Sequence, residues 1–237
     1  MSGPAVKVEP VHEPGWGFGE PSVVDIPPEA HTYTGFMEWV LAGSLPEKLP
    51  VTFIHGLVML DMSEQSLHTH VAVKAAVYHT VFELQQETDF GEFYPEGVLF
   101  GNPDADISTN PDGLAVLWET INAGRVRFVN RKGVERAVEG APDWILEVVS
   151  DSSVKKDTVT LREAYHRAGI SEYWLIDARG KEIVFQILQW RKSGYAATPA
   201  RDGWLKSRVF GCSFRLTRKR NRRGAWVYKL ETRPADA

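Results

Sequence analysis

Glu147 stands alone in an apolar, β-branched run, Trp144 to Val149 (WILEVV), the pattern of a strand covered on both faces. A carboxylate there loses several kcal/mol of hydration unless a cation, a set of hydrogen bonds or a proton compensates it. A metal ion meets that requirement. Asp112 opens a second apolar run, Leu114 to Leu117 (LAVL), between Pro111 and Gly113, and carboxylates at strand ends are where α/β sites commonly sit. Two carboxylates brought together from different strands form a hard-oxygen site for Mg²⁺ or Mn²⁺. Such an ion holds a phosphodiester oxygen and lowers the pKa of a bound water for attack at phosphorus. The residues alone leave a plainer alternative open, a turn aspartate after Pro111 and a satisfied structural glutamate.

The elements that must position these acids follow from the surrounding pattern. After the Glu147 strand, Ser150 to Ser153 (SDSS) breaks the run; Asp157 is expected to cap a helix over residues 158–168, and Gly169 to close it in the left-handed conformation. Leu161, Ala164, Tyr165 and Ala168 fall at the spacing that turns one stripe toward a core. Glu172 to Ile176 (EYWLI) is a second buried strand, and a turn at Asp177 to Gly180 leads into a strand over Glu182 to Gln189. Strand, helix, strand predicts a right-handed crossover between parallel strands.

The stretch AYHRAGISEYWLID, preceded by PDWILEVVSDSS and by the upstream Pro111-Asp112, resembles the Uma-type family of predicted bacterial endonucleases within the PD-(D/E)XK, restriction-endonuclease-like superfamily. The resemblance runs from about Leu49 to about Leu216. It implies an α/β, restriction-endonuclease-like mixed β-sheet flanked by helices, with antiparallel C-terminal strands. It also implies metal-dependent hydrolysis of DNA phosphodiester bonds, with Asp112 and Glu147 matching the two acids that hold Mg²⁺ or Mn²⁺. The sequence departs from the family at the lysine that helps activate the attacking water. Val149 stands two residues after Glu147, and the helical position that carries the lysine in relatives is Leu161. An acidic residue of the early hairpin is replaced by Thr52. Lys155, Lys156 or Arg162 is expected to stand in by reaching over the helix start, with the lysines better suited because an arginine holds its proton. The alternative is a catalytically weak or inactive nuclease-fold protein that binds nucleic acid or a protein partner.

Composition sets outer bounds. The 237 residues, 43% hydrophobic and 24% charged, suffice for one domain over 31–237, with a Pro- and Gly-rich arm over 1–30 read as loosely ordered. With 27 basic against 31 acidic residues and a net charge of −4, no global positive field draws the protein onto DNA. Contact must use a local patch, and the run Arg215, Arg218, Lys219, Arg220, Arg222, Arg223 is the candidate, against the alternative of a solvated loop. A single Cys212 argues against an internal disulfide or a cysteine-only zinc site, and no long apolar segment marks a membrane span, so the cytoplasm is the expected location. A homodimer is expected of enzymes that cut two strands.

Further along the chain, a short helix is expected over Thr34 to Leu41 and a hairpin at His55-Gly56. A helix capped by Ser63 and running to about Gln86 should follow, and strands near 195–197, 205–209 and 225–230 should close the sheet. His68 and His70 do not share a helical face; a capping or surface role is expected, with an auxiliary role for His68 left open by the resemblance. Tyr173, Trp174, Trp190 and Trp204 are expected to pack rather than stack on bases.

Overall fold

The computed structural model describes residues 24–43, 45–46 and 49–235. In chain order the elements are α1 (Tyr33–Leu41), β1 (Val51–Ile54), β2 (Leu57–Leu60), α2 (Ala72–Thr88), β3 (Gly91–Pro95), β4 (Leu99–Asn102), β5 (Ile107–Thr109), β6 (Gly113–Leu117), α3 (Trp118–Asn122), β7 (Val126–Arg131), β8 (Val134–Gly140), β9 (Trp144–Val148), α4 (Leu161–Arg167), β10 (Glu172–Asp177), β11 (Val184–Gln189), β12 (Ala196–Ala197), β13 (Leu205–Lys206), β14 (Cys212–Arg220) and β15 (Trp226–Pro234). One mixed sheet has the order β2-β1-β5-β4-β8-β7, a second β12-β11-β10-β9-β6-β3, and β13-β14-β15 form a third, antiparallel sheet.

The second sheet carries the acids. Strands β9 and β10 pair in parallel, as the strand-helix-strand pattern predicts, while β6 runs antiparallel to β9 on its other side. Side chains of a strand alternate between faces. Trp144, Leu146 and Val148 therefore enter a core with Trp174, Ile176 and the α2 stripe Val73, Val77 and Val81. Ile145 and Val149 enter the opposite core with Leu114, Tyr173 and the α4 residues Leu161, Ala164 and Tyr165. Glu147 shares the parity of Ile145 and Val149, so it faces α4. The predicted α4 stripe is buried in full, and Gly169 ends the helix at φ +76.

The helix starts differ from expectation. Asp157 does not cap α4; it is buried within a widened turn, Lys156–Thr160, whose closing bond runs from the Leu161 N–H to the carbonyl of Lys156, five residues back. A similar turn, Leu67–Val71, precedes α2, and its cap is Ser66 rather than Ser63. Such i→i+5 turns have no simple capping signature, which is why capping residues mislead here.

The chain ends also differ. The last strands do not close the main sheet: β14 and β15 form a nine-pair hairpin packed along α2, and the basic run lies on β14 and its turn rather than in a loop. Tyr173 and Trp174 are fully buried as expected, but Trp190 is exposed and Trp204 half-buried beneath Arg215 and Arg233. Most of the expected N-terminal arm, residues 1–23, lies outside the described residues; Val24 and Ala30 are buried with Phe36 of α1 and Phe53 of β1.

Candidate active site

Asp112 and Glu147 come together through strand register. Gly113 pairs with Leu146 and Leu114 with Ile145, and continuing that antiparallel register by one residue sets Asp112 level with Glu147. The close approach depends on Gly113, where a Cβ would lie 3.1 Å from the Trp144 ring. Asp112 Oδ2 accepts the backbone N–H of Val148 at 2.7 Å. Both acids border a cavity of about 870 Å³ that is also lined by Asp61, Gln65, His70, Glu96, Lys156 and Asp157.

Each carboxylate has its own counter-groups. Asp112 is met by two residues of the α2 region: His70 Nε2 at 3.4 Å from Oδ2 and Lys74 Nζ at 3.4 Å from Oδ1. Burial alone would raise the Asp112 pKa, but the hydrogen bond and charge of His70, the Lys74 ammonium and the Val148 amide together hold it below the ordinary aspartate range. Lys74 is only 2% exposed; it also bonds to Glu96 and, at 3.0 Å, to Gln65 Oε1. Tyr78 completes this row by donating to the Asp112 carbonyl.

Glu147 is in the opposite state. Burial, then the nearby carboxylates of Asp157 and Asp112, push its pKa well above the glutamate range, against the opposing influence of Lys156 and of the Tyr165 hydroxyl, which donates to Oε1 at 2.6 Å. Asp157 is pushed up to about 6, mainly by burial and despite Lys156 and the Ser153 hydroxyl, which donates to it. Lys156 Nζ lies 3.6 Å from Asp157 Oδ1. Burial would lower the Lys156 pKa, but Glu147, Asp157, Asp61 and Asp112 raise it on balance, so it stays protonated.

Of the lysines expected to replace the missing one, Lys156 lines the cavity and Lys155 is exposed away from it. Arg162 donates to the Tyr195 carbonyl, outside the acid pair. The widened turn explains the difference. In an α-helix of 3.6 residues per turn, positions 156 and 161 face apart. A ring closed over five residues stacks them, so Lys156 sits one turn above buried Leu161. Thr52 is bonded to Thr109 at 3.0 Å. His68 is exposed, and it is His70 that reaches the site.

The Uma2 family model, described as "Putative restriction endonuclease", matches residues 40–218. The chain belongs to the Uma2 family. The matched span holds every residue of the cavity and ends on β14. The structure is similar to a crystal structure from Anabaena variabilis described as that of a "putative nuclease belonging to DUF820": the TM-score is 0.54 at 18% identity, covering 76% of this chain and 90% of that one. That likeness concerns the fold. No curated protein matches.

Sequence reading of this Uma2 chain missed His70, Lys74, Glu96 and Asp157. The signal for the first two is a row of polar residues at spacing four, His70, Lys74 and Tyr78, beside the apolar row Val73, Val77 and Val81. Among the described residues no cluster of three or more His, Cys, Asp or Glu has metal-cage geometry, and no helix is long and apolar enough to cross a membrane.

Proposed function

We propose that this Uma2 chain is a metal-dependent endonuclease that hydrolyses DNA phosphodiester bonds, with Asp112 and Glu147 as the protein ligands of Mg²⁺ or Mn²⁺. The observation that carries it is the charge balance of the cavity. Asp61, Glu96, Asp112, Glu147 and Asp157 stand there against two ammonium groups, Lys74 and Lys156. A polyanion does not enter such a pocket without a further cation, and burial, then the neighbouring Asp157 and Asp112 carboxylates, raises the Glu147 pKa, an effect that a cation beside it would oppose. Two hard-oxygen donors without a protein cage fit an ion that keeps several waters. When bound, it would supply Lewis-acid activation of water and of the phosphate.

The chain's own groups then have separate tasks. Lys156, held protonated, orients the attacking water and offsets the charge developing at phosphorus. Asp157, titrating at about 6 beside it, takes up the proton at Oδ1. His70 and Lys74 hold Asp112 ionised and fixed, and Tyr165 orients Glu147.

The test is cleavage of supercoiled plasmid and single-stranded DNA with Mg²⁺ or Mn²⁺, with EDTA, and with Asp112→Ala. Metal-dependent cleavage lost in EDTA and in the variant is the expected result; absence of cleavage under every metal, or equal cleavage by the variant, overturns the proposal. One observation favours a second reading, binding without cleavage: Leu161 is fully buried where relatives carry the lysine. DNA binding with no cleavage would select it.

A further inference from the structure

Charge in this chain is segregated. Residues 212–234, the β14–β15 hairpin, hold eight basic side chains and one acidic, while the whole chain is at −4, so the remainder is at −11. The placement of the hairpin gives this segregation meaning. Its base, near Phe214, packs through Phe210 on Phe90, just beyond the C-terminal end of α2. Leu230 accepts the Thr80 hydroxyl midway along that helix at 2.9 Å, and β15 also reaches the Leu67–Val71 turn that bears His70. The tip therefore points to the cavity end of α2.

A second set of bonds fixes the same direction. Arg218 donates to the carbonyls of Ala178 at 3.1 Å and Gly180 at 2.9 Å, and to that of Lys181. Arg179 in that turn is bonded to Asp151 at 2.9 Å, in the segment that follows the Glu147 strand. The hairpin is thus anchored at the end of the sheet, past the C-termini of β9 and β10, where Asp112 and Glu147 lie.

Its basic residues divide into two groups. Arg218 and Arg220 lie over the Trp226 ring at 4.2 and 3.6 Å, and Arg220 also bonds to the Gly224 carbonyl, so both stiffen the tip. Lys219, Arg222 and Arg223 are exposed, and their side-chain nitrogens have no partner among the described residues.

We infer that the β14–β15 hairpin is a phosphate-binding arm that lays duplex DNA across the acidic cavity, using Lys219, Arg222 and Arg223. The inference rests on the nuclease reading for its substrate. Phosphates rather than bases are its targets, because Trp226 is already covered by two guanidinium groups and is not free to stack, as aromatic platforms for single strands do. Its recognition of DNA is accordingly independent of sequence. It also supplies the attraction that a chain of net negative charge lacks.

The test is fluorescence anisotropy of the full chain with a short duplex in EDTA, so that binding is read without metal or cleavage. Lys219→Gln, Arg222→Gln and Arg223→Gln combined should lower the slope of log affinity against log salt by about 2 to 3 units, near 0.9 for each phosphate that is no longer neutralised. Circular dichroism and the melting temperature check that the triple variant folds; if it does not, the single variants, each expected to lower the slope by about 1 unit, decide. Asp112→Ala should leave the slope in EDTA intact and, in a parallel plasmid assay with Mg²⁺, abolish cleavage, which separates failure of the arm from failure of the nuclease reading. An unchanged slope in folded variants overturns the inference. So does tighter binding of a single strand of equal length, or a charge-dependent affinity confined to vesicles with anionic headgroups.

Discussion

Asp112 Oδ2 accepts the Val148 amide at 2.7 Å, so the acid that opens one strand is fixed beside the amide that follows the acid of the next. The bond replaces a ladder hydrogen bond that β6 does not make, because its pairing with β9 ends at Gly113 and Leu146. Positioning of the pair is therefore a property of backbone as much as of side chains. It survives any substitution at 112 that keeps an acceptor.

That gives a clean separation of fold from metal binding. Asp112→Asn retains an oxygen for the Val148 amide but loses the charge. The variant should fold and be less stable than wild type by about 1 to 3 kcal/mol, since its one oxygen stays with the Val148 amide and His70 while its NH₂ faces Lys74, which keeps Glu96 and Gln65 as acceptors. Calorimetric titration with Mn²⁺ should show its heat abolished. Full binding by the asparagine variant would remove Asp112 from the site.

Glu147→Gln tests the other acid. Micromolar to millimolar affinity is expected of two carboxylates with several retained waters, and metal should raise the melting temperature of wild type by mass action. The glutamine variant should be more stable than wild type without metal, since burial, then the Asp157 and Asp112 carboxylates, opposes a charge at this position, and should gain nothing from metal. Equal metal-induced shifts in both proteins would count against Glu147.

Asp157 provides the pH dependence. Its pKa is about 6 in the folded chain against 3.8 for the ordinary residue, so the folded state binds the extra proton between those values. Its stabilising protonation is fully present below about 4 and is lost as pH rises through about 6. Asp157→Asn should be more stable than wild type above pH 6, by up to about 3 kcal/mol from two pKa units, and no different below pH 4. Urea midpoints across that range measure it. A constant gap at all pH values would mean that Asp157 is not the titrating group.

What the sequence disclosed, and what it hid, follows from how each feature is encoded. Glu147 was legible because one charged residue violates an otherwise apolar strand, and the parallel β9–β10 pair because both strands read as buried runs around a helical stripe. Lys74 was not, since a single lysine in a helix normally reads as solvated; its burial depends on Glu96 and Asp112 arriving from distant segments. The turn at Lys156–Thr160 depends on a five-residue ring that capping residues do not signal. Of the β14–β15 hairpin only the second strand was legible, over 225–230; the basic run of β14 reads equally as a loop because its strand character comes from cross-strand pairs such as Arg220 with Trp226, which no local pattern announces.

The widened turn also yields a rescue experiment on the lysine. Lys156 lines the cavity one turn above Leu161, and Leu161 packs in the core with Tyr165 and Val149. If Lys156 has assumed the task that relatives give to position 161, Lys156→Met should lower metal-dependent cleavage by about 10²-fold, the common worth of a group that handles the proton or charge of the attacking water. Lys155→Met, altering an exposed side chain, should leave the rate alone. Adding Leu161→Lys to Lys156→Met should restore part of the loss, because the new ammonium enters beside Glu147 and favours its charged form. The cost of opening the core is about 2 to 4 kcal/mol, partly offset by that pairing. Leu161→Met in the same background controls for shape. Cleavage rates under saturating Mg²⁺, taken below the melting temperature of each variant, decide the matter. Recovery with lysine but not methionine is the expected result, and an unaltered rate in Lys156→Met would show that the site works without a lysine at either position.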